Sequence, residues 1–394
     1  MDQTFVYVAQ GTINLKEPER AARVIDSKFG QSLVDRAGQI RQRNAWKMQG
    51  TGARFMSGQT LWGGDANEQE QEEIPVVVNA VSRGTRPGEV LYSLATGEIG
   101  GVFSVSCASG DERRLLHTAD FRISQLHANS SEDKIACVVR SRAGSHIAVM
   151  RGDGGELSDV TQGDTLDATP FWRPGSANEL ILQSAGIARN PAGAIVGASA
   201  SHIVKLDITA GSTCVLLGDE EHDYLDPKMD TSGNLYCIRK PYVSPRAGFN
   251  PFRAVLDLVL LPFRLLFAFF QFMNFFTMRY SGNTLVTSGD TRQRQANLRQ
   301  MMIMDNLLHA RRAKDLFAPN RRDWRVSRSW TLVRKPADGG LEVMEKGVLT
   351  FDLCDDGSLL FTDGSRVVLR EPDGKKQELL KDQFISQVLA IPGL

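Results

Sequence analysis

The sequence predicts an all-β protein, and more specifically a six-bladed β-propeller, with seven blades as the alternative count. Three observations lead to this prediction. A four-stranded unit recurs along the chain, the two chain ends together complete one such unit, and one apolar insertion interrupts an otherwise uniform pattern of short strands and turns. At 394 residues the chain has room for one large domain or two ordinary ones.

The recurring element is a strand, a tight turn and a second strand. Dipeptides such as Asp338-Gly339 and Asp373-Gly374 supply the positive φ that a short hairpin turn needs. The pattern occurs at residues 13–25, 92–102, 147–160, 203–217, 331–344 and 367–380.

A second hairpin precedes most of these pairs, at residues 126–139, 170–183, 227–239 and 349–362. Each unit therefore holds four short strands in about 40–50 residues, which is the repeat of a propeller blade. The predicted blades are one that is shared by the two chain ends, followed by about 50–110, 120–162, 166–218, 222–345 and 347–382.

The chain ends support a closed ring. Ile385–Ile391 has the pattern of a first strand with no second strand after it, and Thr4–Ala9 has the pattern of a second strand with no first strand before it. If the two segments share one blade, the ring closes and leaves no open sheet edge.

Two of the units resemble a known repeat. The segment Asp167–Pro174 (DATPFWRP), followed by Glu179–Leu182, resembles the D-x-x-P-x-W-S-P-D-G…I-A-F repeat of the TolB-like, or WD40-like, β-propellers. Ser130–Val139 is similar to the second half of that repeat. The resemblance implies the propeller fold and does not imply a function, because propellers have many unrelated roles.

The domain organisation follows from the interruption. The propeller is predicted over residues 1–242 and again over 329–394, and residues 243–328 are a helical insertion between the second and third strands of the fifth blade. The insertion contains Ala254–Met278, in which nineteen of 25 residues are apolar and seven are Phe. A second helix is expected within Ser27–Lys47, where apolar residues recur at helical spacing.

A membrane crossing by this segment is excluded by its place in the blade, although about 20 apolar residues suffice for one. Strands of the same ring precede and follow it, so one crossing would divide the propeller. A thin polar stripe on an otherwise apolar helix is typical of a helix that lies in the membrane interface. The side chains expected to anchor it are Leu256, Leu260, Phe263, Leu266, Phe267, Phe270, Phe272, Phe275 and Phe276.

The residues that follow the apolar segment are basic. Between Arg279 and Arg328 there are eleven Arg or Lys against four Asp, a balance that favours anionic lipid headgroups. The predicted basic flank consists of Arg279, Arg292, Arg294, Arg299, Arg311, Arg312, Arg321 and Arg322.

The apolar segment is open to two alternative interpretations. It is either an anchor that is buried in a protein partner or in a second copy of the chain, or a helix that packs on the amphipathic segment 293–317 of its own subdomain. Binding of RNA by the basic flank is not expected, because few aromatic residues are interleaved with the charges.

Signals of catalysis are weak. The sequence has no G-x-S-x-G, H-E-x-x-H or P-loop motif. Asp219–Asp226 is a dense polar cluster that we interpret as a loop, with ligand binding as the alternative, and Asp355-Asp356-Gly357 is interpreted as a hairpin turn. We therefore expect no enzyme, catalytic residue, metal or cofactor. A ligand-binding or enzymatic site in the central channel is the alternative.

Composition and the first residues indicate the class of partner and the cellular location. The formal net charge is zero, which favours no nucleic-acid partner, and the five Cys are expected to be buried, reduced thiols. The first residues have no secretory pattern, so a cytoplasmic, bacterial protein is expected, peripheral on the inner face of the cell membrane. The predicted function is a non-catalytic scaffold that docks to a membrane surface or a protein partner. The alternative is a subunit of a multi-protein assembly without lipid contact.

Overall fold

The computed structural model describes residues 3–32, 35–36, 39, 76–96, 99–118, 121–141, 144–191, 195–243 and 325–392. The described residues form 25 strands, and all of these belong to one compact unit that comprises Met1–Gln31, Pro75–Pro245 and Arg299–Leu394. A second unit comprises Ser32–Ile74 and Arg246–Leu298. The all-β prediction is confirmed for the described part of the chain.

The sheet with both chain ends has the strand order β25-β1-β2-β3. Its strands are β1 (Phe5–Ala9), β2 (Thr12–Lys16), β3 (Arg23–Ile25) and β25 (Ile385–Ala390). Strands β1 and β25 are antiparallel, with Phe5 opposite Ala390 and Tyr7 opposite Val388. The two chain ends thus share a sheet, as the sequence predicts.

Three further sheets each contain four strands that follow one another in the chain. The first is β4 (Val77–Arg83), β5 (Glu89–Thr96), β6 (Ile99–Ser106) and β7 (Glu112–Thr118). The second is β17 (His222–Met229), β18 (Leu235–Pro241), β19 (Thr331–Lys335) and β20 (Glu342–Lys346). The third is β21 (Thr350–Leu353), β22 (Leu359–Thr362), β23 (Arg366–Arg370) and β24 (Lys376–Lys381).

The remaining strands form a nine-stranded sheet. Its first part is β8 (Arg122–Asn129), β9 (Lys134–Ser141), β10 (Gly144–Arg151) and β11 (Ser158–Asp159). Its second part is β12 (Thr165–Trp172), β13 (Glu179–Arg189), β14 (Ile195–Ala198), β15 (His202–Asp207) and β16 (Ser212–Leu217). A single parallel pair, Ser145 with Leu166, joins β10 to β12 and hence the two parts.

One predicted blade occupies different residues in the structure. The sequence placed it at about 50–110 and took residues 92–102 as its third and fourth strands, whereas the sheet begins at Val77 and these residues are its second and third strands. The fourth strand, β7, has the sequence ERRLLHT and no buried residue. Because its side chains are half-buried or exposed, β7 lacks the apolar run that marks the strands of the other units.

The core lies between neighbouring sheets, and β1 shows why both of its faces are apolar. Val6 and Val8 pack with residues of β4, β5 and β6, whereas Phe5 and Tyr7 pack with residues of β22 and β23. Side chains alternate between the faces of a strand, so every residue of FVYVA is buried against one neighbour or the other. Burial contributes about 1.5–3 kcal/mol for each large apolar side chain.

The strands at the outer edge of the sheets are the least buried. Most residues of β3, β16, β20 and β24 are exposed or half-buried. Cys214 lies on β16 and is exposed, which corrects the expectation that the Cys are buried; the other four are buried, and all five are free thiols.

A helical segment begins at Lys28, within the stretch for which the sequence predicts a helix. The Ser27 hydroxyl accepts a hydrogen bond from the backbone N–H of Gly30 at 3.0 Å, which is the geometry of an N-cap. The carboxylate of Glu112 accepts from the backbone N–H of Lys28 at 2.5 Å, and Phe29 packs on Phe103. In the part of the chain that the structure describes, no helix is long and apolar enough to cross a bilayer.

Candidate functional site

The predicted anchor and basic flank fall outside the described residues. All nine anchor side chains and all eight arginines lie within residues 244–324. The structure does describe the strands on either side, β18 and β19, which pair directly with each other. The roles of the seventeen side chains stay predictions.

The polar cluster Asp219–Asp226 is divided by the fold. Asp219 accepts hydrogen bonds from the Tyr224 hydroxyl at 2.7 Å and from the backbone N–H of His222 at 2.7 Å, so it organises the loop before β17. Asp226 instead lines a cavity. Among the described residues no group of His, Cys, Asp or Glu is arranged to hold a metal ion.

The segment Asp355-Asp356-Gly357 is a hairpin turn between β21 and β22, as predicted. The backbone N–H of Gly357 donates to the carbonyl of Cys354 at 3.0 Å, and Gly357 has φ of +82°. Asp356 accepts from the backbone N–H of Ser358 at 2.9 Å. These bonds stabilise the turn.

The main candidate site is a cavity of about 520 Å³, within the range of small-molecule sites. Six described strands, β4, β8, β12, β17, β21 and β25, contribute residues to its lining. Each is the first, or edge, strand of an antiparallel run, so its outer backbone N–H groups need partners from elsewhere.

A buried ion-pair cluster lies on one side of this cavity. The ammonium of Lys228 donates to Asp352 Oδ1 at 2.8 Å and to the carbonyl of Phe351 at 2.6 Å. The guanidinium of Arg83 lies 3.6 Å from Asp352 Oδ2 and 3.1 Å from Asp355. Burial alone would raise the pKa of Asp352, but Lys228 and Arg83 outweigh it and hold the pKa below its usual value.

The pKa of Asp226, which lies beside the same lysine, is shifted in the opposite direction. Burial raises its pKa despite the attraction of Lys228 and a hydrogen bond of 3.0 Å from the Thr350 hydroxyl. The nearby charge of Asp352 raises the pKa of Asp226 further. Two neighbouring carboxyl groups thus have pKa values shifted in opposite directions, an arrangement common in functional sites and also found in structural networks.

Side chains of one edge strand bind the backbone of the next around the cavity. Gln387 Oε1 on β25 accepts from the backbone N–H of Val81 on β4 at 2.8 Å. Gln125 Oε1 on β8 accepts from the N–H of Thr169 on β12 at 2.7 Å. Asp352 Oδ2 accepts from Ala390 on β25 at 2.9 Å. These bonds satisfy edge N–H groups that no sheet partner reaches.

β-Bulges orient several of these groups. The register of β8 shifts between Ile123 and Leu126, and that of β12 shifts between Ala168 and Phe171. A corresponding shift in β17 contains Asp226, whose φ is +51°. A bulge turns a side chain away from its regular face of the sheet, which is how polar residues in otherwise apolar strands reach the cavity.

His127 is a neutral member of the lining. Its Nδ1 accepts from the backbone N–H of Trp172 at 3.1 Å, so the ring proton is on Nε2. The ring packs on Phe171 with centroids 4.2 Å apart. Burial, and then the charge of Lys228, lowers the pKa of His127 to about 3, although part of the ring faces the cavity.

Sequence reasoning missed this cavity, although a signal was present. Gln125, Asp226, Asp352 and Gln387 are polar residues within strands that begin a unit. Alignment of these first strands would have shown a polar residue inside each of the four. A motif is a contiguous pattern, whereas these residues lie on four different strands, so no motif contains them.

No known protein family matches the sequence, and no curated protein matches it. Solved structures do match. TolB from Acinetobacter baumannii superposes with a TM-score of 0.51 and 8% identity, over 99% of this chain and 66% of TolB. The chain thus spans about two thirds of the length of TolB.

Two other matches are weaker. A structure of the nidogen/laminin complex gives a TM-score of 0.48 with 8% identity, over 99% of this chain and 98% of the matched one. The β-propeller domain of the Trilobed protease from Pyrococcus furiosus gives 0.37 with 9% identity, over 77% and 69%. The superposition on TolB shows the fold alone, and this chain has a TolB-like β-propeller fold.

Proposed function

We propose that this TolB-like propeller is a non-catalytic scaffold that docks through the segment inserted between β18 and β19. The observation that carries the proposal is the direct pairing of these strands, from Leu235 opposite Lys335 to Arg239 opposite Thr331. The ladder is complete without the insertion, so residues 244–324 depart from and return to one end of a strand pair. Such a segment is an addition to the sheet and is free to serve binding.

The proposed ring has six blades. Six edge strands contribute to the lining of the described cavity, which supports one blade for each of them. The nine-stranded sheet then counts as two blades, because only the pair Ser145 with Leu166 joins its parts. In this count the insertion belongs to the fifth blade.

Lipid is the occupant that the composition of the insertion favours. The 25 residues Ala254–Met278 include seven Phe, and an apolar surface of that size is seldom left in water. The basic flank after it would add attraction to anionic headgroups of about 1 kcal/mol for each Arg or Lys at the surface. The proposed location is therefore the inner face of the cell membrane, reached from the cytoplasm.

The second candidate is an anchor in a protein assembly, with the same apolar segment buried by a partner instead of lipid. The pairing of β18 with β19 supports this candidate equally, and the two candidates differ only in whether lipid is required. Neither candidate assigns a catalytic residue, a metal or a cofactor to the chain.

Vesicle flotation tests the proposal. The full chain should float with vesicles that contain phosphatidylglycerol and remain at the bottom without vesicles. Serine at Phe263, Phe267 and Phe270 should abolish flotation, because it removes apolar surface from the centre of the predicted helix. Wild-type protein that does not float with anionic vesicles would overturn the lipid proposal.

Two further comparisons separate binding to lipid from binding to a protein partner. Glutamine at Arg292, Arg294 and Arg299 should reduce flotation on anionic vesicles and leave weak binding to neutral phosphatidylcholine unchanged. The protein anchor would be favoured if the chain does not bind vesicles but forms a defined oligomer. The same three serine substitutions should then dissociate that oligomer.

A further inference from the structure

Three side chains in the cavity lining are held in the same way. Gln125 and Gln387 each use the amide oxygen, and His127 uses Nδ1, to accept a backbone N–H from the next edge strand. A backbone N–H needs an acceptor, so these bonds also determine which end of each amide and which nitrogen of the ring points to the backbone. The opposite end of each side chain is a donor.

These three donors have no partner within the described residues. The amide nitrogens of Gln125 and Gln387 and the Nε2–H of His127 make no hydrogen bond there. Gln125 is only 6% exposed, and all three residues line the cavity. Water in the cavity can reach these donors, so an occupant would replace their hydrogen bonds to water with hydrogen bonds to its own oxygen atoms.

Other residues of the lining supply acceptors. Five carboxyl groups face the cavity against two cationic side chains, Arg83 and Lys228. The five acidic residues are Asp226, Asp230, Asp352, Asp355 and Asp356. Phe171 adds an aromatic surface beside His127.

This arrangement selects against charged occupants. An anion would meet an excess of carboxyl groups, of which Asp352 already engages both cations. A cation would meet carboxyl groups that are already engaged, because Asp352 and Asp355 pair with Lys228 and Arg83. Asp230 and Asp356 accept backbone hydrogen bonds within their own turns, and the three N–H donors also disfavour a cation. A neutral molecule with several hydroxyl groups can accept from the N–H donors and donate to the carboxylates at the same time.

We propose that the cavity binds a neutral, polyhydroxylated small molecule of the size of a mono- or disaccharide. Gln125, Gln387 and His127 are the donors that recognise its oxygen atoms, and the ring of Phe171 packs on its apolar face. The volume of about 520 Å³ is sufficient for such a molecule. This inference does not depend on the docking function of the insertion.

The test uses the full chain and a panel of matched sugars. D-Glucose, D-galactose, maltose and trehalose are compared with glucuronate, an anion, and glucosamine, a cation, by saturation-transfer NMR and calorimetry. At least one neutral sugar should bind at about 10 mM or below, and its charged counterpart should bind about tenfold more weakly. Absence of binding by every neutral sugar, or tighter binding of a charged analogue, would overturn the proposal.

Substitutions in the cavity lining test whether the sugar binds there. Gln125→Met and Gln387→Met should each weaken the best neutral sugar by about tenfold, which corresponds to the loss of one hydrogen bond. Gln377→Met, on the exposed strand β24, is the matched control and should bind like the wild type. If a cavity variant fails to fold, the other one and the comparison of charged and neutral sugars on the wild type still decide. Equal binding by all folded variants would overturn the assignment of the site.

Discussion

Lys228 on β17 and Asp352 on β21 form a buried ion pair of 2.8 Å although they are separated by 124 positions in the chain. Their side chains are 14% and 9% exposed. Asp352 also accepts from the backbone of Ala390 on β25, so one carboxylate connects three edge strands around the cavity. The pair therefore contributes to the alignment of the sheets that contain β17, β21 and β25.

Replacement of Lys228 by Met should lower the free energy of unfolding by about 3–5 kcal/mol, because it leaves the carboxylate of Asp352 buried with less compensation. Urea denaturation measures the change. The control is Lys375→Met, which removes a solvent-exposed ion pair with Asp373 and should leave the free energy of unfolding nearly unchanged. Similar losses in the two variants would show that Lys228 has no special structural role.

Asp226→Asn should increase stability at pH 7. The raised pKa means that the folded state favours the protonated acid, so the stability contributed by Asp226 is present at low pH and is lost as the pH rises through the folded value. Asparagine keeps the neutral form at every pH. The gain, on the order of 1 kcal/mol, should shrink as the pH is lowered from the folded pKa toward about 4, below which the acid is neutral in both states.

Asp223→Asn is the matched control for that substitution. Asp223 is also buried, but its carboxylate accepts from the backbone of Ser201 at 2.9 Å and lies 3.4 Å from the ammonium of Lys240. Removal of this charge should therefore destabilise the protein at pH 7. Equal signs for the two variants would contradict the assignment of Asp226.

His127→Asn should flatten the dependence of stability on pH. The pKa of His127 is lowered to about 3 in the fold. As the pH falls below the ordinary value of about 6.5, only the unfolded chain takes up the proton, so stability is lost between that value and 3. The two chains are compared from about pH 4.5 to 6.5, above the range in which Asp352 loses its contribution, and the titration of Asp226 is common to both chains. An unchanged slope in that window would contradict this prediction.

Removal of residues 385–394 should abolish cooperative folding. The deletion removes β25, which pairs with β1, and with it the bond from Gln387 to the backbone of Val81. A chain that ends after Ile391 keeps the whole strand and is the control. Circular dichroism and urea denaturation distinguish the two; a cooperative transition in the shorter chain would show that the strand pairing is dispensable.

Replacement of residues 244–324 by a short Gly/Ser linker should leave the propeller folded. Strands β18 and β19 pair without the insertion, and a shorter connection lowers the entropic cost of loop closure. The free energy of unfolding should therefore stay within about 1–2 kcal/mol of the wild type, measured in urea. Loss of the cooperative transition would show that the insertion is part of the core.

Local patterns were sufficient for most strands. Asp373-Gly374 marks the turn between β23 and β24, where Gly374 has φ of +91°, and the apolar alternation on either side defines the strands. The same patterns placed β1 and β25 together. The pattern failed at β7, because the outermost strand of a sheet packs on one side only and its composition resembles that of a loop.

Local sequence patterns did not predict the candidate site. Asp226 was noted only as part of a loop cluster, and Gln125, His127 and Gln387 carried no motif. These residues lie on three different strands, β8, β17 and β25. Their common function is visible only once the edge strands are placed around one cavity.

The sequence by itself therefore determined the fold class, the hairpin units, the closure by the chain ends and the position of the insertion between two strands. These features depend on periodicity and turn chemistry, which act over a few residues. Only the tertiary structure brought Lys228 to Asp352 and Gln387 to Val81, which are separated by 124 and 306 positions. Such contacts depend on the register and curvature of every sheet between them, so no local pattern specifies them.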